Sequence, residues 1–185
     1  MTLYVPFGQG QRVVELGGGN KPMFHPNVDC APGPVVDIVT DFNKPLPLPS
    51  IGFDGVFSKY SLEHISWRKL RQFISEMYRI LRPGGTAFVI TANLLEQCRA
   101  LVEAPSLNDD LVCMIFGGQN TEGDDWYHSW YPEAHHCGLS PEYAERLFKA
   151  AGFLKVEVSP LPECKTDMVI VAHKSSATIG YGLGR

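Results

Sequence analysis

A tight glycine turn interrupts the chain after its first apolar run, and a second apolar segment follows almost at once. Residues 11–16 (QRVVEL) are typical of a buried strand and lead directly into Gly17, Gly18 and Gly19. Seven residues, two of them prolines, separate Gly19 from Asn27, where the next strand is predicted. A complete crossover with its helix needs about a dozen residues or more. The sequence therefore predicts two strands whose connection has no room for an ordinary helix.

The apolar periodicity of the rest of the chain predicts both strands and helices. Further strands are predicted at residues 27–31, 35–40, 53–60, 86–91, 153–161 and 167–174. Helices are predicted at residues 67–81, 94–104, 106–116 and 140–152. Alternation of the two types in the second half predicts a mostly parallel sheet, and ligands of such sheets bind beyond the carboxyl ends of the strands. The glycine turn and the segments TDFN and SKYSLEH all follow predicted strands, which places them at that edge.

The composition is that of an ordinary globular protein. The 185 residues are 44% hydrophobic, and their net charge of −4 argues against a general nucleic-acid-binding protein. The chain has no apolar run of the length of a membrane span, and its first residues lack the basic and apolar regions of a signal peptide. Five scattered cysteines without a CxxC pair are typical of a reducing compartment, so a cytoplasmic location is expected.

The glycine turn is a poor match for a dinucleotide. A dinucleotide fingerprint reads GxGxxG and runs into a helix whose amino end holds the pyrophosphate. Here Pro22 stands at the third glycine position, and the following helix has no room. S-adenosylmethionine carries an adenosine without a phosphate, so it does not need that helix. A nicotinamide-dependent reductase is therefore the less favoured interpretation.

Five motifs in order resemble the class I S-adenosylmethionine-dependent methyltransferases. They are ELGGGN, NVD, DIVTDFNKPLPLP, FDGVFSKYSLEHI and LRPGGTAFVIT. With the later GGQN, HH and LSPEYAERLFKAAGF segments, they are most similar to a small subgroup with an abbreviated first crossover, over residues 12–173. The resemblance implies a Rossmann-like, doubly wound α/β sheet of about seven mostly parallel strands, the last antiparallel, in a three-layer sandwich. It also implies S-adenosylmethionine as the cofactor.

The resemblance assigns nine residues to the cofactor. They are Glu15, Gly17, Gly19, Asn20, Asp29, Asp41, Phe42, Lys59 and Tyr60. Glu15, Gly17 and Gly19 shape the turn around the methionine and ribose portions, and Asn20 follows them directly. Asp29 accepts hydrogen bonds from the ribose hydroxyls, Asp41 accepts one from the adenine amino group, and Phe42 packs on the adenine. Lys59 and Tyr60 line the floor of the site. Both aspartates are also common turn residues, and that interpretation stays open.

An aromatic segment within residues 119–139 is predicted to cover the site. Its aromatic residues are Trp126, Tyr127, Trp130 and Tyr131. Long loops are often functional lids, and aromatic rings can stack on a sugar or another flat acceptor. A local aromatic core that only fixes the loop is the alternative. The predicted organisation is one domain over residues 1–174, with a lid or insert at about 93–139 and a flexible tail at 175–185.

Three histidines are candidate bases for the chemistry. His64, His135 and His136 could remove the proton of a hydroxyl acceptor, which makes transfer to oxygen favoured over transfer to nitrogen. No metal is expected, because His128, His135, His136 and Cys137 match no strong zinc pattern. The predicted function is methyl transfer to a small molecule, possibly a sugar, by a monomer or homodimer. The alternatives are an inactive module that binds the cofactor and a methyltransferase acting on protein or nucleic acid.

Overall fold

The computed structural model describes residues 5–119 and 133–176 and contains one seven-stranded sheet. In chain order the strands are β1 (Val13–Leu16), β2 (Asn27–Asp29), β3 (Ile38–Val39), β4 (Phe53–Lys59), β5 (Leu81–Ala92), β6 (Lys155–Leu161) and β7 (Cys164–His173). Their order across the sheet is β3-β2-β1-β4-β5-β7-β6. The pairs from β3 to β5 are parallel, and β7 is antiparallel to both of its neighbours. This confirms the predicted fold class, with the last strand antiparallel.

Helices within the described residues lie mostly in the second half of the chain. They are α1 (Leu70–Ile80), α2 (Leu94–Glu103), α3 (Asp109–Phe116) and α4 (Pro141–Ala150), with a 3₁₀ turn at Leu62–His64. Ser140 caps α4, since its hydroxyl accepts a hydrogen bond from the Tyr143 N–H at 3.3 Å. Asn108 caps α3, because its side chain accepts a hydrogen bond from the Leu111 N–H.

Helices cover one face of the sheet. The larger core cluster joins α1, through residues such as Phe73 and Met77, to α4, through Leu147 and Phe148. On the other face, the core cluster within the described part of the chain consists of strand residues and side chains of the connecting segments. There Phe57 and Phe88 stack with ring centroids 6.0 Å apart, and Phe24 packs on Phe57 at 5.5 Å.

The short first crossover follows from the sequence. Residues 17–26 join β1 to β2 without a helix, as predicted, and the two strands pair in parallel. The reversal of strand order falls between β1 and β4, which are adjacent, while the chain runs outward from β1 to β3 and from β4 to β5. Such a reversal opens a crevice at the carboxyl ends of the strands. This crevice is the natural place for a ligand.

Parts of the sequence-based account lie outside the described residues. The four aromatic residues of the predicted lid and His128 fall within residues 120–132, and most of the predicted tail falls within residues 177–185. The lid, the tail and the single-domain organisation therefore stay predictions. Among the helices of the described part, none has the length and apolar character required to cross a membrane.

Candidate active site

The glycine turn is shaped by a close contact with Ser61, which lies two residues after the end of β4. Gly17 has φ +84°, and a Cβ placed on it would lie 1.8 Å from the Ser61 hydroxyl oxygen. That hydroxyl donates to the Leu16 carbonyl at 3.2 Å. Gly19 also has a positive φ, of +52°, but a Cβ there would meet no atom within 4 Å. Gly17 is thus required for packing within the protein, whereas Gly19 faces open space that a ligand can enter.

Asp29 lies directly against this open side of the turn. Its Oδ2 atom accepts a hydrogen bond from the Gly19 N–H at 2.9 Å, and its Oδ1 atom accepts one from the Ala31 N–H at 3.0 Å. A carboxylate has about four lone-pair positions. Asp29 therefore keeps acceptor capacity for a ligand, while its orientation is fixed by the backbone.

Glu15 holds the short crossover in place. Its carboxylate is 3% exposed and accepts hydrogen bonds from the Met23 N–H at 2.5 Å and the Phe24 N–H at 2.8 Å. Burial raises the pKa of Glu15 above its ordinary value. Glu15 therefore shapes the turn indirectly, by holding the backbone of residues 23–24, which lie in the crossover after the turn.

The same turn is fastened by Asn27, which the sequence analysis did not single out. Asn27 is fully buried, and its side-chain amide donates to the carbonyls of Gly19, at 2.9 Å, and Val35, at 3.0 Å. Its side-chain oxygen accepts from the Gly18 N–H at 3.2 Å. One amide thus joins the glycine turn to the segment before β3. The predicted cofactor residue Asn20 is exposed, and its side chain lies beside Gly33.

The residues after β3 divide between surface and core. Asp41 is exposed and accepts from the Asn43 N–H at 2.9 Å, which is the geometry of an aspartate turn. Phe42 is 7% exposed and packs on Phe73, with ring centroids 5.0 Å apart. Its ring edge also approaches Gly17, since a Cβ at Gly17 would lie 3.8 Å from it. Phe42 thus supports the glycine turn from within the core.

Lys59 and Tyr60 end β4 beside this turn. Tyr60 has φ +52°, which is uncommon for a side chain of its size and typical of strained functional positions. Its hydroxyl donates to Asp167 Oδ2 at 2.8 Å, and burial together with this carboxylate raises the pKa of Tyr60. The Lys59 ammonium lies 5.1 Å from the centroid of the Tyr60 ring. The pair therefore fixes the backbone between β4 and the 3₁₀ turn.

Two of the predicted histidines meet a buried carboxylate at the 3₁₀ turn. The rings of His64 and His135 are 5.0 Å apart in an edge-to-face arrangement. Glu63 is 4% exposed, and its Oε2 atom accepts from the Thr91 hydroxyl at 2.8 Å. Burial lowers the pKa of His64, and burial followed by the influence of His64 lowers the pKa of His135. Burial likewise raises the pKa of Glu63.

Backbone hydrogen bonds dock the segment after residue 132 onto this turn. The His136 and Cys137 N–H groups donate to the Glu63 carbonyl at 2.7 and 3.2 Å. The His135 N–H donates to the Phe116 carbonyl at 2.9 Å, and the Gly118 N–H donates to the Glu133 carbonyl at 3.2 Å. The end of α3, the 3₁₀ turn and residues 133–137 therefore form one hydrogen-bonded unit, named here the histidine cluster.

Comparisons with known proteins agree with this geometry. Residues 24–89 match the model of a family described as a methyltransferase domain. A 60-residue segment is 43% identical to a Mycolicibacterium smegmatis protein described as a "Probable S-adenosylmethionine-dependent methyltransferase". These two matches agree with the predicted resemblance to class I S-adenosylmethionine-dependent methyltransferases. The 60-residue segment spans 32% of this chain and 23% of that relative.

Solved structures of methyltransferases share the fold. An S-adenosylmethionine-dependent methyltransferase from Mesorhizobium loti has a TM-score of 0.61 at 18% identity, covering 89% of this chain and 91% of its own. The phosphoethanolamine N-methyltransferase 2 of Haemonchus contortus, in complex with S-adenosylmethionine, has a TM-score of 0.60 at 16% identity, covering 92% of this chain and 50% of its own. The solved structures confirm the predicted fold, and the sequence matches support the predicted family and its cofactor, S-adenosylmethionine, while the narrower subgroup stays a prediction.

The candidate site also contains polar residues that the sequence analysis missed. Glu63 and Ser61 stand within the quoted SKYSLEH motif, so their position was available, although their burial was not. Asn93 directly follows β5 and is 3% exposed, and its side-chain oxygen has no hydrogen-bond partner among the described residues. A buried acceptor without a partner is costly. Asn93 is therefore a candidate for binding a donor group of a ligand or a water molecule.

Proposed function

We propose that this chain binds S-adenosylmethionine at the carboxyl edge of β1, β2 and β4 and transfers its methyl group to a small hydroxyl-bearing acceptor. The observation that carries the proposal is the contact of Asp29 with the open glycine turn. The Asp29 carboxylate is fixed by the Gly19 N–H at 2.9 Å, beside a position where a Cβ would meet nothing within 4 Å. An oriented acid beside an unobstructed backbone suits a ribose with two hydroxyl donors.

The cofactor, when bound, supplies a methyl group already activated by its sulfonium. The protein then has to hold the cofactor and align the acceptor, and such alignment can supply ~7–11 kcal/mol of a barrier. Asp29 would accept from the ribose hydroxyls, and Asp41 would accept from the adenine amino group through an exposed carboxylate. Glu15 and Asn27 would act as positioning residues, because they hold the turn without facing its open side.

The histidine cluster supports oxygen as the methylated atom. A hydroxyl acceptor must lose its proton, and a neutral imidazole near neutral pH can receive it. Burial favours the neutral form of both His64 and His135 by lowering each pKa. The Nδ1 atoms of both rings face backbone carbonyls, which leaves each Nε2 as the acceptor. We assign the role of base to one of these two rings, and His136 contributes through its backbone contact with Glu63.

The acceptor class and the cellular location are further parts of the proposal. We propose a sugar or another flat small molecule as the acceptor because aromatic residues are predicted above the site. These aromatic residues lie outside the described part of the chain. The five cysteines are free thiols, which supports the proposal of a reducing, cytoplasmic environment.

Calorimetric titration with S-adenosylhomocysteine tests the proposal. We expect binding by the wild-type protein and binding at least tenfold weaker in Asp29→Asn, because hydrogen bonds to a charged acceptor contribute ~1.5–3 kcal/mol. Asp54→Asn is the matched control, since Asp54 contacts the Arg12 N–H and Arg82 near the amino end of β4. Binding of NAD in place of S-adenosylhomocysteine, or equal affinities of the two variants, would contradict the proposed site.

A further inference from the structure

The geometry points to a metal site in the histidine cluster. We propose that Glu63, His64 and His135 bind one divalent first-row transition-metal ion. One ligand atom from each of the three side chains lies within 4.8 Å of those of the other two. Ligands ~2.1 Å from a common ion are about 3.0–3.5 Å apart. A movement of about 1 Å by the side chains would therefore close the site around an ion.

Hydrogen bonds to backbone carbonyls define the free atom of each imidazole. His64 Nδ1 lies 3.0 Å from the Ala134 carbonyl, and His135 Nδ1 lies 3.2 Å from the Ile115 carbonyl. A carbonyl oxygen can only accept, so each Nδ1 carries the proton and each neutral ring has its lone pair on Nε2. Metal-binding histidines almost always donate their second N–H to a carbonyl or carboxylate. Both rings are thus held in the tautomer that a metal requires.

Glu63 supplies the negative charge. Its side chain is 4% exposed, and among the described residues no lysine or arginine forms an ion pair with it. The Thr91 hydroxyl donates to Oε2 at 2.8 Å and leaves Oε1 able to bind an ion. A buried carboxylate without a cation is costly, because it has lost its hydration. A divalent ion beside it would offset that cost.

The donor set indicates the kind of metal. Two imidazoles and one carboxylate suit zinc, iron, cobalt and nickel more than magnesium or calcium, which prefer oxygen ligands. Three protein ligands leave coordination positions open for water or for an oxygen of a small molecule. The sequence analysis expected no metal, and its rejected combination of ligands included Cys137, whose Sγ donates to the Leu62 carbonyl at 3.0 Å and is not part of the set proposed here.

The ion has a clear consequence for the proposed acceptor chemistry. A divalent ion would bind an acceptor hydroxyl oxygen directly and lower its pKa, as it does for bound water. Because the ion would occupy the same Nε2 lone pairs, the proton of the hydroxyl would pass to water, and the role of base proposed above would apply to the metal-free protein. Metal binding is nevertheless measured without the cofactor, so its failure and the failure of cofactor binding are distinguishable.

Cobalt titration of the untagged protein tests the site. The protein is stripped with a chelator and titrated with Co²⁺ alone, while its visible absorption is recorded. We expect one ion per chain, displacement by Zn²⁺, and affinity at least tenfold weaker in His64→Ala and in His135→Ala. His25→Ala is the matched control, because His25 is 57% exposed and pairs with Asp37 away from the cluster.

A second measurement uses only the wild-type protein, in case a variant fails to fold. Proton NMR should show Co²⁺ shifting or broadening the ring signals of two of the six histidines selectively. S-adenosylhomocysteine titration of the stripped protein reports separately on the cofactor site. Absence of stoichiometric Co²⁺ binding would overturn the proposal, and so would affinity unchanged in His64→Ala and His135→Ala, or NMR effects spread over all histidines.

Discussion

Replacement of Gly17 by alanine should destabilise the protein more than replacement of Gly10, although both glycines have nearly the same backbone conformation. Their φ angles are +84° and +85°. A side chain in this left-handed region costs ~1–2 kcal/mol at either position. The Cβ of Gly10→Ala would meet no atom within 4 Å, whereas the Cβ of Gly17→Ala would lie 1.8 Å from the Ser61 hydroxyl oxygen and 2.8 Å from its Cβ.

The difference between the two variants in the free energy of unfolding therefore measures the cost of the close contact between residue 17 and Ser61. Overpacking of a well-packed region typically costs ~1–3 kcal/mol, so we expect a loss of ~1–2 kcal/mol for Gly10→Ala and ~2–5 kcal/mol for Gly17→Ala. Urea unfolding gives both values, provided that the m-value stays constant. A second substitution, Ser61→Gly, should recover part of the loss in Gly17→Ala. Equal losses in the two alanine variants, or no recovery, would refute the proposed contact.

Three further predictions concern the cofactor site and the core. Gly19→Ala should change stability by only ~1–2 kcal/mol, the backbone cost, yet weaken S-adenosylhomocysteine binding at least tenfold in calorimetry, because its Cβ would enter the open space beside the turn. Unchanged affinity would exclude ligand approach there. Cys30 is exposed, but partial desolvation by its neighbours, followed by the charge of Asp29, raises its pKa to about 11, so its iodoacetamide labelling should be slow at pH 8 and rise about tenfold per pH unit below pH 11, measured by mass spectrometry. A plateau below pH 9 would contradict this expectation. The hydrogen bond from Arg79 lowers the pKa of Glu76, so this pair stabilises the fold above about pH 4.5 and loses that effect as the pH falls through the lower folded-state pKa. Wild-type and Glu76→Gln proteins should differ in urea stability at pH 7 and converge near pH 3, whereas a pH-independent difference would contradict the pairing.

The sequence was sufficient for features that depend on short spacing. The seven residues after Gly19 exclude a helix whatever the rest of the chain does, and the structure has none there. Ser140 and Pro141 define the start of α4 by local chemistry, and that start is confirmed. Strand ends were less predictable. β7 begins at Cys164, three residues before the predicted start at residue 167, because pairing with β6 extends it.

The parts that could not be predicted depend on distant contacts. Asn27 looks like an ordinary strand residue, and its role appears only when Gly19 and Val35 lie beside it. Glu63 looks like a polar residue in a helix start, and its burial depends on Thr91, 28 positions later. Local pattern carries no information on such pairs.

A crystal structure of the protein with S-adenosylhomocysteine would test the central claim most directly. The account predicts the ribose hydroxyls within hydrogen-bonding distance of the Asp29 carboxylate, and the ligand passing close to Gly19 at the carboxyl edge of the sheet. A ligand bound elsewhere would contradict the account. A bound ligand that leaves Asp29 in contact only with the Gly19 and Ala31 N–H groups would contradict it equally.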